Sequence, residues 1–191
     1  KITGGHGSPS SDQRVGEIPY IKVSDLRAGS VNINPTNMIP LALAKQYWKG
    51  NISGLMPYDL ISPERASKNI GEFCVLMPGQ QNIVLTKEVI VIRATTEPHF
   101  DQFYLIWALS LTAVRKQWER IVFMQTNRED VGKRMFEVLI PYPNTKEIAD
   151  ELAKPFKSYY ESLERARNEF ITQITNSKYD HHIHLGESTS Y

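Results

Sequence analysis

The stretch Asn144–Thr175, NTKEIADELAKPFKSYYESLERARNEFITQIT, carries the strongest periodic signal in this chain. Its residues Ile148, Leu152, Phe156, Tyr159, Leu163, Ala166, Phe170 and Ile174 follow one another by three or four positions. That spacing returns side chains to one face of an α-helix. Pro155 lies inside the pattern. It has no N–H, and its ring crowds the carbonyl four residues back, so a kink near Leu152 or a break in the first turns is expected. A small body cannot cover so long a stripe. Part of it is expected to dock on another helix, in a partner or in a further part of the same polypeptide.

Immediately upstream, Pro141-Tyr142-Pro143-Asn144 closes what precedes, because two prolines so spaced stop regular hydrogen bonding. The preceding residues read as a β-rich body. EVIVIRA (Glu88–Ala94) is its clearest strand, short, β-branched and bounded by turns. Ile18–Val23, Asp59–Ser62, Glu72–Leu76 and Asn82–Leu85 are expected strands, and Val31–Ile33 a short one after the turn at Ala28-Gly29. Leu41–Trp48 suits one or two helical turns. Asp101 suits an N-cap for a helix reaching about Trp118, with Phe103, Trp107, Ser110, Val114 and Trp118 along one side. Ile121–Gln125 and Met135–Ile140 are read as strands flanking a polar loop, Thr126–Lys133. The expected fold is therefore α+β: a β-rich, mixed-sheet body over 1–143, a long amphipathic helix over 144–176, and a flexible tail over 177–191.

Composition excludes several classes. With 41% hydrophobic and 23% charged residues, the 191-residue chain has enough apolar surface for a core, so disorder throughout is excluded. Its longest apolar stretch, Phe103–Val114, is interrupted by Ser110 and Thr112 and falls short of the roughly 18 residues of a membrane span. Lys1–Gly16 shows no basic region followed by an apolar one, so no secretory leader and a cytoplasmic location are expected. The single cysteine, Cys74, rules out an internal disulfide. The net charge of +1 is near neutral. It nevertheless hides a local excess, in which Arg115, Lys116, Arg120, Arg128, Lys133 and Arg134 stand against Glu119, Glu129 and Asp130.

No enzyme signature is visible: there is no phosphate-cradling loop, no nucleophile elbow and no zinc-protease motif. Asn34-Pro35-Thr36-Asn37 lacks the second proline and the aromatic residue that an amino-methyltransferase uses to hold a flipped base. Gly4-Gly5-His6-Gly7 reads as a structural turn, since no strand precedes it and no helix follows. His181, His182 and His184 lack a second ligand cluster, so no metal and no cofactor are expected. Cys74, between Phe73 and Val75, reads as a buried small hydrophobe.

Two loops carry groups suited to reading base edges. Thr126-Asn127-Arg128 offers an amide that can pair bidentately with adenine and a guanidinium that can pair with guanine. Pro63–Asn69 offers Arg65, Lys68 and Asn69. Taken alone, each such loop is more often an ordinary polar turn.

The ordered set of motifs resembles the DNA target-recognition domain of type I restriction-modification specificity subunits, or of a related N6-adenine DNA methylase. The set comprises Ile2–Pro9, IPYIKVSDL (Ile18–Leu26), Leu55–Ser62, the Val89–Arg93 strand, the Phe103–Leu109 helix, Thr126–Arg128, Leu139–Pro143 and the long helix. The sequence departs from the family in three places. Gln125–Arg128 lacks the usual glycine, Lys146-Glu147 stands where the family has a glutamine pair, and Pro63-Glu64-Arg65 replaces small residues.

The resemblance implies that residues 1–143 read double-stranded DNA without performing chemistry. Thr126, Asn127 and Arg128 would serve base or phosphate contacts, and Arg65, Lys68 and Lys22 the backbone; Ser24 and Asp25 are as well explained by a turn. It also implies a methyltransferase subunit, and with it a restriction subunit, as partners docked on the helix. The helix would pair with that of a second recognition domain or of another copy. The chain would then be a half-subunit, an excised fragment or the recognition end of a single-chain enzyme. The rival reading is a protein-interaction module acting through the amphipathic helix and its aromatic residues Phe156, Tyr159 and Phe170.

Overall fold

The computed structural model describes residues 1–64, 69–95, 100–123, 131–183 and 185–186. In chain order the strands are β1 (Ile2–Gly4), β2 (Ile18–Ile21), β3 (Leu26–Arg27), β4 (Ser30–Val31), β5 (Met38–Ile39), β6 (Leu60–Pro63), β7 (Cys74–Val75), β8 (Val84–Leu85) and β9 (Val89–Ile92). The α-helices are α1 (Leu41–Trp48), α2 (Gln102–Ser110), α3 (Thr112–Phe123) and α4 (Lys146–Thr175). One sheet has the order β1-β9-β6-β7-β4-β3, antiparallel except for the parallel β4–β7 pair. The other has the order β5-β2-β8, with β2 and β8 parallel. The fold is the expected α+β body with mixed sheets followed by a long C-terminal helix.

Alternation along the central strands decides the layering. Leu60, Ile90 and Ile92 join α2, α3 and the start of α4 in one core, while Ile61, Val89 and Val91 face a second core with Ile21, Leu76, Ile83 and Leu85. Strand β9 is thus buried on both faces, which is why its sequence runs VIVI without polar alternation. Each such side chain contributes about 1.5–3 kcal/mol of burial. A smaller cluster seats α1 against β2 and β8 through Ala44 and Trp48, whose indole N–H donates to Ile83 O at 2.9 Å.

Asp101 caps α2, its carboxylate accepting the Tyr104 N–H at 3.0 Å, as expected. The helix does not run on to Trp118, however. Leu111 is extended (φ −65°, ψ 132°) and divides it into α2 and α3. Helix α2 is buried almost all round, through Phe103, Tyr104, Leu105, Ile106, Ala108 and Leu109, because it lies between the sheet and α4.

Two expected strands are corrected. Ile121–Phe123 belongs to α3, whose buried Val114, Trp118 and Ile121 continue a helical period into that segment. Residues 124–125 lie outside the described residues. Met135–Glu137 falls in a 3-10 turn (Gly132–Glu137), Val138 is extended, and residues 138–140 belong to no strand among the described residues. The Gln117 amide takes that strand's place, its Nε2 donating to Leu139 O at 2.8 Å and its Oε1 accepting the Leu139 N–H at 2.9 Å. An edge satisfied in this way mimics strand alternation without a sheet partner.

Helix α4 is unbroken through Pro155. Pro155 and Glu151, whose carbonyl loses its partner, are both exposed, so water can satisfy that group. The face that docks on the body is not the predicted stripe alone. Ala149 and Ala153 are buried, with Leu152, Phe156 and Tyr160 packed beside them, because small side chains allow close approach to α2. Further along, Tyr58 Oη donates to Glu164 at 2.7 Å and Arg167 Nη1 donates to Pro78 O at 3.0 Å. Ile148, Tyr159, Leu163 and Phe170 remain 43–59% exposed. Beyond the helix, Gly186 O accepts from Gln80 Nε2 at 2.8 Å.

The Gly4–Gly7 run is a close backbone crossing. The Gly5 N–H donates to Val89 O at 2.9 Å and the His6 N–H to Leu85 O at 2.7 Å, and a Cβ on Gly5 would stand 1.9 Å from Thr86 O. Since that neighbour is backbone and cannot rotate away, Gly5→Ala is expected to destabilise by about 2–3 kcal/mol. Urea denaturation would show this as a lower midpoint.

Candidate nucleic-acid interface

Of the residues singled out for DNA contact, Thr126, Asn127, Arg128, Arg65 and Lys68 lie outside the described residues. Their flanks are described, and they meet. Glu64, which precedes one loop, receives on its carbonyl the N–H of Val131, which follows the other, at 3.3 Å. Glu64 is itself fixed through its N–H to Glu88 O at 2.8 Å. On the far side of the first loop, Ile70 is buried, and Gly71 at φ +89° brings its backbone to the Trp118 side chain. Ile70, Trp118, Val131 and Met135 belong to one core cluster. The flanks of the two loops, far apart in sequence, thus meet in the fold.

Beside those flanks runs a groove of about 720 Å3, lined by Ser24, Arg27, Gly29, Pro63, Asn69 and Phe73 among others. One wall is the β3–β4 hairpin. Its central residues Ala28 (φ 52°) and Gly29 (φ 74°) both have positive φ, the turn whose twist matches a two-residue hairpin. Arg27 is exposed at this wall. Its Nε donates to Ser24 O at 2.8 Å, and its two Nη groups have no hydrogen-bond partner among the described residues. Sequence reasoning missed Arg27; the positive-φ dipeptide after it, which carries it to a hairpin tip, was the available signal. Asp25 is structural, its carboxylate accepting the Lys22 N–H at 2.9 Å within a 3-10 turn (Val23–Asp25).

Lys22 follows β2 and adjoins the groove through Val23 and Ser24. Its Nζ donates to Asn37 Oδ1 at 3.2 Å and lies 5.2 Å from the centre of the Tyr20 ring. Two basic residues of the 115–134 stretch, Arg115 in α3 and Arg134 in the following 3-10 turn, are less available than the sequence suggests. Arg115 is 3.0 Å from Glu72 and 3.7 Å from Glu119, and Arg134 pairs with Glu137 at 3.1 Å.

The remaining motif residues have structural places. Asn34 Oδ1 accepts the Thr36 N–H at 2.9 Å, making Asn34–Asn37 a turn before β5. Cys74 is buried, and burial pushes its thiol up to about 11, against a lowering backbone hydrogen bond from Gly29, so at neutral pH it is protonated. Among the described residues no group of three or more His, Cys, Asp or Glu could hold a metal ion. No helix among them is long and apolar enough to cross a membrane.

This body, with its mixed sheets, covering helices and long C-terminal helix, has the fold of a type I restriction-modification S subunit. The likeness is to the S subunit of the type I restriction-modification system from M. genitalium, with a TM-score of 0.51 and 11% sequence identity. It covers 90% of this chain and 39% of that one, so this chain spans well under half of the solved subunit's length. No protein-family model matches the chain, and no curated protein matches it in sequence.

Proposed function

We propose that this chain recognises duplex DNA sequence-specifically for a restriction-modification system. It would direct a methyltransferase, and a nuclease with it, to the target in the cytoplasm while performing no chemistry itself. The observation that carries this reading is the fold shared with an S subunit. The meeting of the two loop flanks at Glu64 and Val131 supports it, because loops held together on a rigid body can read adjacent bases. In this reading Asn127 and Arg128 contact bases, Thr126, Arg65 and Lys68 flank them, and Lys22 and Arg27 contact the backbone.

Selection of bound duplexes from a randomised pool at low salt, followed by sequencing, tests the reading. Enrichment of a short fixed motif is expected, and uniform recovery of all sequences would overturn it. Asn127→Ala and Arg128→Ala are each expected to weaken binding to the selected duplex by about 1–3 kcal/mol and to relax preference at one base pair. Two unchanged affinities and preferences would remove that loop from the interface.

The exposed residues Ile148, Tyr159, Leu163 and Phe170 favour a second role for α4. The helix would serve as a docking surface for a methyltransferase subunit, a second recognition domain or another copy of the chain. Were α4 the whole function, the DNA selection would recover nothing even with a methyltransferase present.

A further inference from the structure

Two cations lie close to one tyrosine ring outside the groove. The Arg14 guanidinium carbon lies 5.6 Å from the centre of the Tyr20 ring and Lys22 Nζ lies 5.2 Å from it. Tyr20 is 1% exposed, so the ring is a fixed platform, and its hydroxyl has no hydrogen-bond partner among the described residues. Arg14 Nη2 is held by Pro9 O at 3.4 Å, and Lys22 Nζ by the side chain of the buried Asn37 at 3.2 Å. Among the described residues neither cation is paired with a carboxylate, in contrast to Arg93, Arg115 and Arg134. An anion bound beside them would meet two positive charges that no carboxylate neutralises. Arg14 is exposed and Lys22 half-buried, so both can be reached from solvent.

We infer that Arg14 and Lys22, set on Tyr20 and Asn37, form a backbone-phosphate site that extends the DNA-binding surface beyond the groove, next to its lining residues Val23 and Ser24. The inference rests on the DNA-recognition proposal above. Each cation lies within 5.6 Å of the same ring centre, so the two stand at most about 11 Å apart, a separation that phosphates one or two steps apart on one strand can match. As contacts to phosphate oxygens rather than base edges, the two cations would add affinity and orientation without sequence preference.

The test measures affinity for the selected duplex against salt concentration for the 191-residue chain, its double variant Arg14→Gln/Lys22→Gln, and the control Lys154→Gln on the exposed face of α4. Each lost phosphate contact should flatten the plot of log affinity against log salt by about 0.9. The double variant should therefore lose about 1.8 of slope and about tenfold in affinity at moderate salt, with its selected motif unchanged. The control should keep the original slope. If the unaltered chain binds with a salt-dependent affinity and the double variant keeps its slope, the phosphate site is wrong while DNA recognition stands. A changed motif in the double variant would also overturn the inference, since it would mean base reading. If the unaltered chain binds no duplex, the recognition proposal fails and the site with it. Matching circular dichroism spectra and melting temperatures would exclude unfolding as the cause of a loss.

Discussion

Trp118→Ala is expected to lower the unfolding free energy by about 3–5 kcal/mol, as buried tryptophans do when truncated. Trp118 is 4% exposed and sits in the core between α3 and the sheet. The loss is expected at the upper end because two elements rest on it. Gly71 places its backbone where a Cβ would be 2.6 Å from the Trp118 Cβ, and Met135 shares with Trp118 the lining of a cavity of about 310 Å3. Removal of the indole enlarges that cavity instead of letting it collapse, since the φ of +89° at Gly71 fixes the adjacent turn. Urea titration should show a lower midpoint with an unchanged slope. A loss below about 1 kcal/mol would mean that the site repacks. Because the flanks of both proposed DNA-reading loops share this core, binding by Trp118→Ala should fall even where the protein remains folded.

The second large effect is expected at Asp59. This carboxylate is 1% exposed and receives Arg93 bidentately, Nε donating to Oδ1 at 2.6 Å and Nη2 to Oδ2, together with the Met56 N–H at 2.8 Å. The bond to Asp59 raises the Arg93 pKa above its usual value. The pair joins the start of β6 to the end of β9, and Arg93 extends the clamp to Gly54 O at 2.9 Å. Asp59→Ala leaves Arg93 partly buried without its partner and the Met56 N–H without an acceptor, so a loss of about 3 kcal/mol is expected. Arg93→Met in the same chain should recover part of that loss, because a neutral pair of similar volume removes the uncompensated charge. Thermal unfolding of the two single variants and the double variant gives the coupling. A double variant as unstable as the sum of the singles would show that the two residues act independently.

Much of the fold is legible in local sequence because local physics decides it. The period of α4, the N-cap Asp101, the hairpin turn at Ala28-Gly29 and the doubly buried run Val89–Ile92 each follow from spacing, capping or backbone preference. At Ile121–Phe123 and Met135–Ile140 the structure departs from the sequence reading for an equally physical reason. A short apolar run looks alike in a buried helix and in a strand, and the Gln117 amide gives Leu139 a strand's hydrogen bonds without a strand. The proposed recognition residues were legible by type, since amides and guanidinium groups match base edges wherever they stand.

The sequence by itself determined which segments could be helix or strand and which side chains carry donors suited to nucleic acid, because those properties belong to residues and their near neighbours. Only the tertiary structure decided that Glu64 meets Val131, that Arg14 and Lys22 share the ring of Tyr20, and that Ala149 and Ala153 join Leu152 and Phe156 of the stripe in seating α4 on the body. Those are contacts between distant positions or choices among faces, and chain closure, packing volume and backbone pairing select them together.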